Sequence, residues 1–565
     1  MNQQIRMITA AMISVLIITG WQYFFVSERV VEPQHETNVV EDSQIFEDTN
    51  VITHKTVEES LKDGQRIHFE NEYVAGSVNL VGAQIDNLIL KKYNVEIDQD
   101  EKVVLLSPEF TKNPNLIKID WRLSKNKGQN NAIHLPNKQT IWTVDVNNSN
   151  NHIVMYWTNS QGILFKIYIS LDDKYMFDIK TVVDASNSSL EVQDLHIRGH
   201  VSMQRARNLV ESDSRMLHEG PTGVVDGKLK EINFSDVQSE NYRTNKDQKV
   251  EWLGFSDKYW LVSIISKNPG NKGILGSFSS AFDNEWHDSK FQMDLFFPIH
   301  SLNKNTVEDS FLLFAGAKSI EILDSYQKLY NITMFDRAVD FGFLYFITKP
   351  IFLILNYFYQ LLGNFGLAIM VLTVLTKILL FPLAYKSVKS MNNIKKIQPK
   401  VAKLKEQYAD NNMMFQQSLI ALYKKEKVNP ASGCLPIVLQ MPIFFALYKV
   451  LYVTIEMRHV PFFLWIHDLS AHDSTTIFNL FGLIPWQPPL FLMIGVLPIA
   501  MSLTMFLQQM ISPQPADPTQ ALMMKLMPLF LLFMFAQFPS GLLIYWTWSN
   551  TLSIGQQFII KYLPE

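Results

Sequence analysis

A single lysine inside a long apolar run constrains this chain more than any other feature. Residues 365–381 are apolar or small, with two threonines, except for Lys377, and Pro382 follows directly. Such a run is typical of a membrane helix, in which a charged side chain is costly and faces either a polar cavity or the membrane interface. The chain therefore has a membrane helix with one cation inside it.

A strongly basic segment follows this run. Ten lysines lie between residues 386 and 427, and only Glu406, Asp410 and Glu426 oppose them. Because cytoplasmic loops of membrane proteins carry the excess of lysine and arginine, this segment is predicted to be cytoplasmic. Two helical patterns within it, split near Asp410, predict a helical hairpin over residues 383–429.

The rest of the chain divides into a polar half and an apolar half. Residues 27–340 are mixed in character, whereas long apolar runs dominate 345–561. The formal net charge of -4 argues against nucleic-acid binding as the main function, and DNA is not an expected partner. The single cysteine, Cys434, excludes an internal disulfide, so an extracytoplasmic domain must be stable on its core alone.

Residues 1–27 predict an N-terminal membrane anchor. Arg6 precedes the apolar run 7–26, which is about long enough to span a bilayer and ends in aromatic rather than small residues. We therefore expect an uncleaved helix with its N-terminus in the cytoplasm. Residues 28–55 are acidic and poor in aromatics, which is typical of a flexible linker.

Residues 56–333 predict a large periplasmic β-sandwich. Segments 163–169, 175–183 and 190–197 alternate apolar and polar residues as half-buried strands do. A helix is predicted over 319–330. Residues 334–350 are aromatic and amphipathic and predict an interfacial helix that ends at Pro350; the alternative is that they begin the next membrane helix.

Residues 351–565 predict an all-α polytopic bundle that includes the hairpin. With the anchor, the expected fold is a multi-domain membrane protein with six membrane helices, five of which form the core. Both termini then lie in the cytoplasm. The predicted core helices end near Phe381, Tyr452, Gln509, Phe538 and Ile560.

Two interpretations of Lys377 stay open on spacing alone. Its side chain is within reach of the interface near Pro382 and can snorkel there, or it can line a polar cavity. Polar residues in the other apolar helices favour a partly hydrated pocket. These are Thr373, Thr376, Gln440, Thr547, Ser549 and Asn550.

No motif predicts an enzyme. The chain contains neither a phosphate-binding loop nor His-Glu-x-x-His nor Cys-x-x-Cys. The pairs His467–Asp468 and His472–Asp473 suggest a metal site, but neighbouring His and Asp in a loop are far more often ordinary polar residues. We therefore expect no catalytic residue, no metal and no cofactor.

Several long motifs resemble the YidC/Oxa/Alb family of membrane-protein insertases. They are Lys425-Glu-Lys-Val-Asn-Pro-Ala-Ser-Gly-Cys-Leu-Pro, the run from Gln440 to Tyr448, Phe463-Leu-Trp-Ile-His-Asp-Leu-Ser, Phe538-Pro-Ser-Gly-Leu and Asp340-Phe-Gly-Phe-Leu-Tyr-Phe-Ile. In the polar half the resemblance is to the Gram-negative members, and it rests on position, size and the stretch from Trp252 to Trp260.

The resemblance implies a location in the bacterial inner membrane. It also implies a hydrophilic groove, open to the cytoplasm and to lipid, that inserts newly made membrane proteins and helps them to fold. It places the groove cation at Lys377, where many members carry arginine. Lysine keeps the charge but loses the bidentate fork. The substrate-contact positions that it implies are Thr373, Phe444, Met501, Met534, Trp546 and the adjacent Tyr545.

The expected partners are nascent membrane proteins, the Sec translocon, the ribosome through the basic hairpin, and membrane lipid. A small-solute transporter is the alternative. Transporters often contain inverted repeats, and no repeat is evident between the halves of 350–560.

The predicted topology is testable with single cysteines in a Cys434→Ala background. A cysteine at Ser214 should react with an impermeant thiol reagent added outside spheroplasts, because 56–333 is predicted to be periplasmic. A cysteine at Asn412 should not react, because the hairpin is predicted to be cytoplasmic. The reverse labelling pattern would rule out this topology.

Overall fold

The computed structural model describes residues 55–562 apart from short internal gaps. The gaps are 63, 98, 125–132, 146–147, 150, 189–195, 208–216, 268–272, 284–287, 409–410, 427, 429–434, 482–483, 485, 487–492 and 512–517. The predicted anchor 1–27 and nearly all of the linker 28–55 lie outside the described residues. So does most of the predicted strand 190–197.

Two compact units make up the chain. The helical unit contains Ile369–Gln440 and His472–Glu565, and the sandwich unit contains Asp48–Ala368 and Met441–Ala471. The chain passes from one unit to the other within two of its apolar helices. Each unit is described separately below.

The sandwich unit is built on antiparallel strands. Its strands are β1 (Arg66–Glu70), β2 (Val74–Asn79), β3 (Gln84–Asn94), β4 (Lys102–Leu106), β5 (Asn115–Leu123), β6 (Thr143–Val144), β7 (His152–Thr158), β8 (Leu164–Leu171), β9 (Met176–Asp184), β10 (His196–Arg207), β11 (Gly220–Val225), β12 (Lys228–Glu231), β13 (Tyr242–Arg243), β14 (Val250–Ser256), β15 (Trp260–Ser266), β16 (Leu275–Asp283), β17 (Asp288–Phe296), β18 (His300–Ser301) and β19 (Thr306–Ala317).

The helices of both units follow in one series. They are α1 (Val57–Leu61), α2 (Phe234–Ser239), α3 (Ile320–Leu329), α4 (Tyr345–Leu362), α5 (Phe365–Leu379), α6 (Phe381–Gln407), α7 (Asn412–Lys425), α8 (Leu435–Val453), α9 (Val496–Ile511), α10 (Pro518–Phe535) and α11 (Ser540–Tyr562). Short 3-10 helices span Phe335–Ala338, Gly342–Leu344, Ile455–Met457 and Ile477–Asn479.

Two sheets form the sandwich. The first has ten strands in the order β1-β2-β3-β5-β10-β17-β16-β13, with β4 paired to β3 and β18 to β10. The second has nine strands in the order β12-β11-β14-β15-β19-β9-β8-β7-β6. Aromatic rings from the two sheets meet in the core, as between Phe69 and Phe177, whose centroids are 5.2 Å apart. The predicted β-sandwich is therefore confirmed.

Strand β8 shows why alternation predicted these strands. Phe165, Ile167, Ile169 and Leu171 are buried, and the residues between them are half-buried. One face of the strand therefore packs in the core, which stabilises the strand by roughly 25 cal/mol for each Å² of apolar surface removed from water. Helix α3 also forms where the sequence predicts it.

A buried histidine joins three adjacent strands of the first sheet. His200 on β10 lies 2.6 Å from Asp120 Oδ1 on β5 through Nδ1, and 2.9 Å from Asp294 Oδ1 on β17 through Nε2. The imidazole also stacks on Phe296. Burial lowers the pKa of His200, but the two carboxylates outweigh burial and raise the pKa to about 9. At neutral pH His200 is therefore protonated, and its imidazolium forms an internal ion pair with the carboxylates of Asp120 and Asp294.

The predicted bounds of the interfacial helix are wrong. The predicted helix covers 334–350, but two 3-10 turns occupy most of its first half, and α4 then runs through Pro350 to Leu362. Pro350 lacks the N–H that would bond to the carbonyl of Phe346. That single loss, close to the start of the helix, does not end it. The interfacial location itself stays a prediction.

The helical unit begins with a sharp bend. Helices α5 and α6 are bent by 63° at their break. Pro382 stands in the first turn of α6, where a missing N–H costs nothing because first-turn N–H groups have no intrahelical partner. The hairpin helices α6 and α7 contact each other. Helix α9 packs against both α10 and α11.

Length and composition identify few of the described helices as membrane spans. Gly342–Leu362 is long and apolar enough to cross a membrane, and the bent pair α5 and α6 qualifies when taken together. Val438–Val453, Val496–Ile511 and Ala521–Phe535 are apolar but shorter. The number of six membrane helices stays a prediction.

The His200 ion pair predicts a pH dependence of stability. The folded state binds this proton more tightly than the unfolded chain does. Its contribution is therefore complete below the ordinary pKa of 6.5 and is lost as the pH rises through about 9. We expect the unfolding midpoint of the full-length chain in detergent to fall over this range. The loss corresponds to roughly 3 kcal/mol.

Two variants test whether His200 causes that slope. His200→Gln should be less stable at pH 6 and should lose most of the slope. His134→Gln, at an exposed position, should retain it. Circular dichroism of the strand signal gives the midpoint, and equal slopes in all three proteins would contradict the assignment.

Candidate functional site

The ammonium group of Lys377 lies in a shell of neutral hydrogen-bond acceptors. Its Nζ donates to Ser553 Oγ at 2.7 Å and to Gln440 Oε1 at 3.2 Å. Within the described part of the chain, no carboxylate lies within the 4.0 Å that defines an ion pair with it. The half-buried cation therefore keeps its positive potential, since no anion in the described residues cancels it.

Gln440 connects this cation to α11. Its Oε1 accepts from Lys377, and its Nε2 donates to Tyr545 Oη at 2.9 Å and to Ser549 Oγ at 2.7 Å. Tyr545 and Ser549 are almost fully buried. A half-buried amide with both ends bonded holds its neighbours in one arrangement.

One face of α11 supplies most of the polar groups. Tyr545, Ser549, Ser553 and Gln556 recur at intervals of four, four and three residues, which places them on one side of a helix. Gln556 Nε2 donates to the backbone oxygen of Lys377 at 3.2 Å. That carbonyl lies in the last turn of α5, where it has no intrahelical partner.

The sequence predicts part of this cluster. Lys377, Gln440 and Tyr545 are predicted groove residues, and Ser549 is among the polar residues that favour a pocket. Ser553 and Gln556 were not predicted. Their helical spacing from Tyr545 was the signal that could have found them.

Other predicted groove residues lie outside the hydrogen-bonded cluster. Thr373 is buried, and its Oγ1 donates to Ile369 O at 2.7 Å, so it is satisfied within α5. Met501 on α9 is fully buried, whereas Met534 on α10 is 44% exposed.

Two aromatic positions complete the predicted set. Trp546 packs against Phe535 of α10, with ring centroids 4.8 Å apart. Phe444 is buried in the part of α8 that belongs to the sandwich unit.

Two further polar groups of α11 are buried without a partner in the described structure. They are Thr547 Oγ1 and Trp548 Nε1. An unsatisfied buried donor costs about 1–3 kcal/mol, so such groups are normally bonded to water or to a ligand. Thr547 lies two residues from both Tyr545 and Ser549, which places it on the opposite side of α11 from the Lys377 cluster.

The aspartates of the two His–Asp pairs have structural roles. Asp473 Oδ2 accepts from Leu497 N at 2.8 Å at the start of α9, so its carboxylate caps that helix. A Cβ at Gly495 would lie 2.4 Å from this carboxylate, which explains the glycine there. Asp468 Oδ1 accepts from the backbone and the hydroxyl of Ser470. No group of three potential metal ligands occurs among the described residues.

A second lysine of an apolar helix is paired differently. Lys449 of α8, which is not among the predicted site residues, lies with its Nζ 3.0 Å from Asp340 Oδ2 within the sandwich unit. Asp340 also accepts from His218 N. This cation is neutralised, in contrast to Lys377.

Two models of known protein families match most of the chain. Residues 357–564 match the family model of the 60Kd inner membrane protein, and residues 66–354 match that of the YidC periplasmic domain. The chain is 43% identical to "Membrane protein insertase YidC" of Rickettsia africae over 99% of both chains. It is 42% identical to the protein of the same name from Rickettsia bellii over 100% of both chains.

A solved structure described as "Active YidC insertase crystal structure with the first transmembrane domain resolved" was also compared. It covers 89% of this chain and 94% of its own, with 16% identity and a TM-score of 0.38. That score is too low to support an inference about fold.

The two matched models define an inner membrane protein with a periplasmic β-sandwich domain and a helical C-terminal region. The chain belongs to the YidC family of membrane protein insertases. This family is not a class of enzymes. None of these comparisons supports the small-solute transporter alternative.

The central position of Gln440 predicts its effect on stability. Gln440→Leu keeps the side-chain size but leaves Lys377, Tyr545 and Ser549 each without one hydrogen-bond partner. We expect a loss of about 1–3 kcal/mol in unfolding free energy, measured by SDS titration of the full-length chain in mixed micelles. Gln416→Leu, at an exposed position of α7, should be nearly neutral. Equal stability of both variants would contradict the network.

Proposed function

We propose that this chain inserts newly made proteins into the inner membrane and helps them to fold, using the Lys377 cluster as the polar part of its insertion groove. The observation that carries the proposal is a half-buried ammonium group whose hydrogen-bond partners in the described structure are all neutral. The relatives at 43% identity carry the name of membrane protein insertase, which supports the same function.

The cation attracts the polar, often acidic, tail of a client. A polar tail in bare hydrocarbon leaves its groups unsatisfied, at several kcal/mol for each group. The cluster offers hydrogen bonds and a positive potential part-way across the membrane, so the tail meets a lower barrier. Lysine supplies this attraction as a point charge and without bidentate geometry.

The client's apolar segment supplies the driving force. Burial in the membrane yields roughly 25 cal/mol for each Å² of apolar surface, and no nucleotide is required. Helix α10 presents a broad exposed apolar surface along which such a segment can move. Its members include Leu526, Leu529, Phe530, Phe533 and Met534. Thr373, Phe444, Met501, Tyr545 and Trp546 complete the proposed substrate path.

The proposed topology has six membrane helices with both termini in the cytoplasm. The groove then opens to the cytoplasm and to lipid, and the hairpin of α6 and α7 extends into the cytoplasm. Its exposed lysines suit the ribosome and the anionic lipid surface, which attracts each lysine by about 1 kcal/mol. The Sec translocon is the proposed partner for clients with large translocated domains.

Charge substitutions at Lys377 test the proposed function. Lys377→Arg should retain insertion, Lys377→Ala should reduce it, and Lys377→Glu should reduce it most because it repels acidic tails. The decrease in client insertion should be at most about fivefold, because one hydrated ion pair contributes about 1 kcal/mol or less. The measurement is protease protection of a short acidic-tailed client in cells depleted of the native protein.

Matched controls separate charge at this site from net charge. Lys246→Glu makes the same change of charge at an exposed position of the sandwich unit and should insert normally. A client with a neutral tail should be little affected by any Lys377 variant. Equal insertion by the Lys, Ala and Glu forms at matched expression would remove Lys377 from the mechanism.

A further inference from the structure

Two cations of the sandwich unit lie next to the end of the apolar helix α8. Lys258, in the turn between β14 and β15, has its Nζ 3.7 Å from the ring centroid of Tyr452 and 4.9 Å from that of Tyr259. Arg458, five residues beyond α8, has its Cζ 5.7 Å from Tyr259 and 5.6 Å from Trp260. Both cations therefore contact the same Tyr259 ring.

The described residues neutralise these cations only in part. Arg458 donates to the backbone oxygen of Val95 at 2.7 Å, and neither cation has a carboxylate within 4.0 Å in the part of the chain that the structure describes. Burial lowers the pKa of Lys258, the carboxylates of Glu219 and Asp468 oppose this, and Arg458 lowers the pKa further. An additional anion would therefore stabilise both side chains.

An exposed apolar loop follows these cations in the chain. Phe463 is 52% exposed and Leu464 is 84% exposed. Leu464 also has φ +61°, a left-handed conformation that few residues other than glycine adopt. Phe462 packs against Gly366 at the start of α5, where a Cβ would lie 2.0 Å from its ring. The loop is therefore fixed beside the ends of two apolar helices.

We propose that Lys258 and Arg458 bind the phosphate group of an anionic phospholipid in the periplasmic leaflet, while Phe463 and Leu464 insert between its acyl chains. The cations, the aromatic rings of Tyr259, Trp260 and Tyr452, and the apolar loop form the combination that proteins place at a membrane–water interface. A free phosphate ion would use the cations but would leave the apolar loop in water, so the structure favours a lipid.

Lipid retention by the full-length protein tests the proposal. Detergent-purified protein is mixed with phosphatidylglycerol, and native mass spectrometry measures bound lipid as a function of concentration. The double variant Lys258→Gln/Arg458→Gln should bind this lipid about tenfold more weakly, because it lacks two cations at the lipid surface. Lys246→Gln/Lys249→Gln removes the same net charge from exposed positions of the same unit and should bind normally.

Further measurements keep the result decisive if the first variant folds poorly. Lys258→Arg/Arg458→Lys retains both charges and should bind normally, whereas Phe463→Ser/Leu464→Ser should weaken lipid binding and leave the cations in place. Equal phosphatidylglycerol affinity in the Gln double variant and its exposed control would overturn the site. Competition by inorganic phosphate at millimolar concentration would overturn the assignment to a lipid.

Discussion

The helical unit depends on keeping one ammonium group solvated inside an apolar helix. An isolated charge in hydrocarbon is so costly that neighbouring elements must supply hydrogen bonds to it. Here α8 contributes Gln440 and α11 contributes Ser553, and Gln556 bonds the carbonyl of Lys377 itself. The cation thus determines which face of α11 is polar. A chain with leucine at this position would have no physical reason to keep that polar face.

Three buried or half-buried lysines show how strongly the surroundings determine what such a charge can do. Lys449 is paired with Asp340 and is neutralised. Lys318 is only 1% exposed and donates to Ser256 Oγ, and burial lowers its pKa to about 8 although Asp257 and Asp340 oppose the shift. Among the described residues, the hydrogen-bond partners of the Lys377 ammonium group are all neutral. Of the three, it is the one whose field is least reduced by protein groups and so reaches an incoming polar segment most strongly.

The spacing of apolar residues along the chain predicted those strands and helices that bury one face. The alternation in β8 and the helical spacing of α3 follow directly from one-sided burial. Pro350 misled the prediction because a proline near a helix start removes only one bond. The hydrogen-bond partners of Lys377 could not be derived, because residues 377, 440 and 553 meet only through tertiary packing. Lys449 was overlooked because its carboxylate partner lies far away in the sequence.

The pairing of β19 makes the order of synthesis matter for the sandwich. β19 is the last strand of the domain to be made, yet it lies in the middle of the second sheet, between β9 and β15. Until it has crossed the membrane, β9 and β15 each expose an unpaired edge that can join another chain. Completion of the domain therefore waits for its final strand, and pairing between such distant segments is slow. An export pause before residue 317 would leave an aggregation-prone intermediate rather than a smaller folded domain.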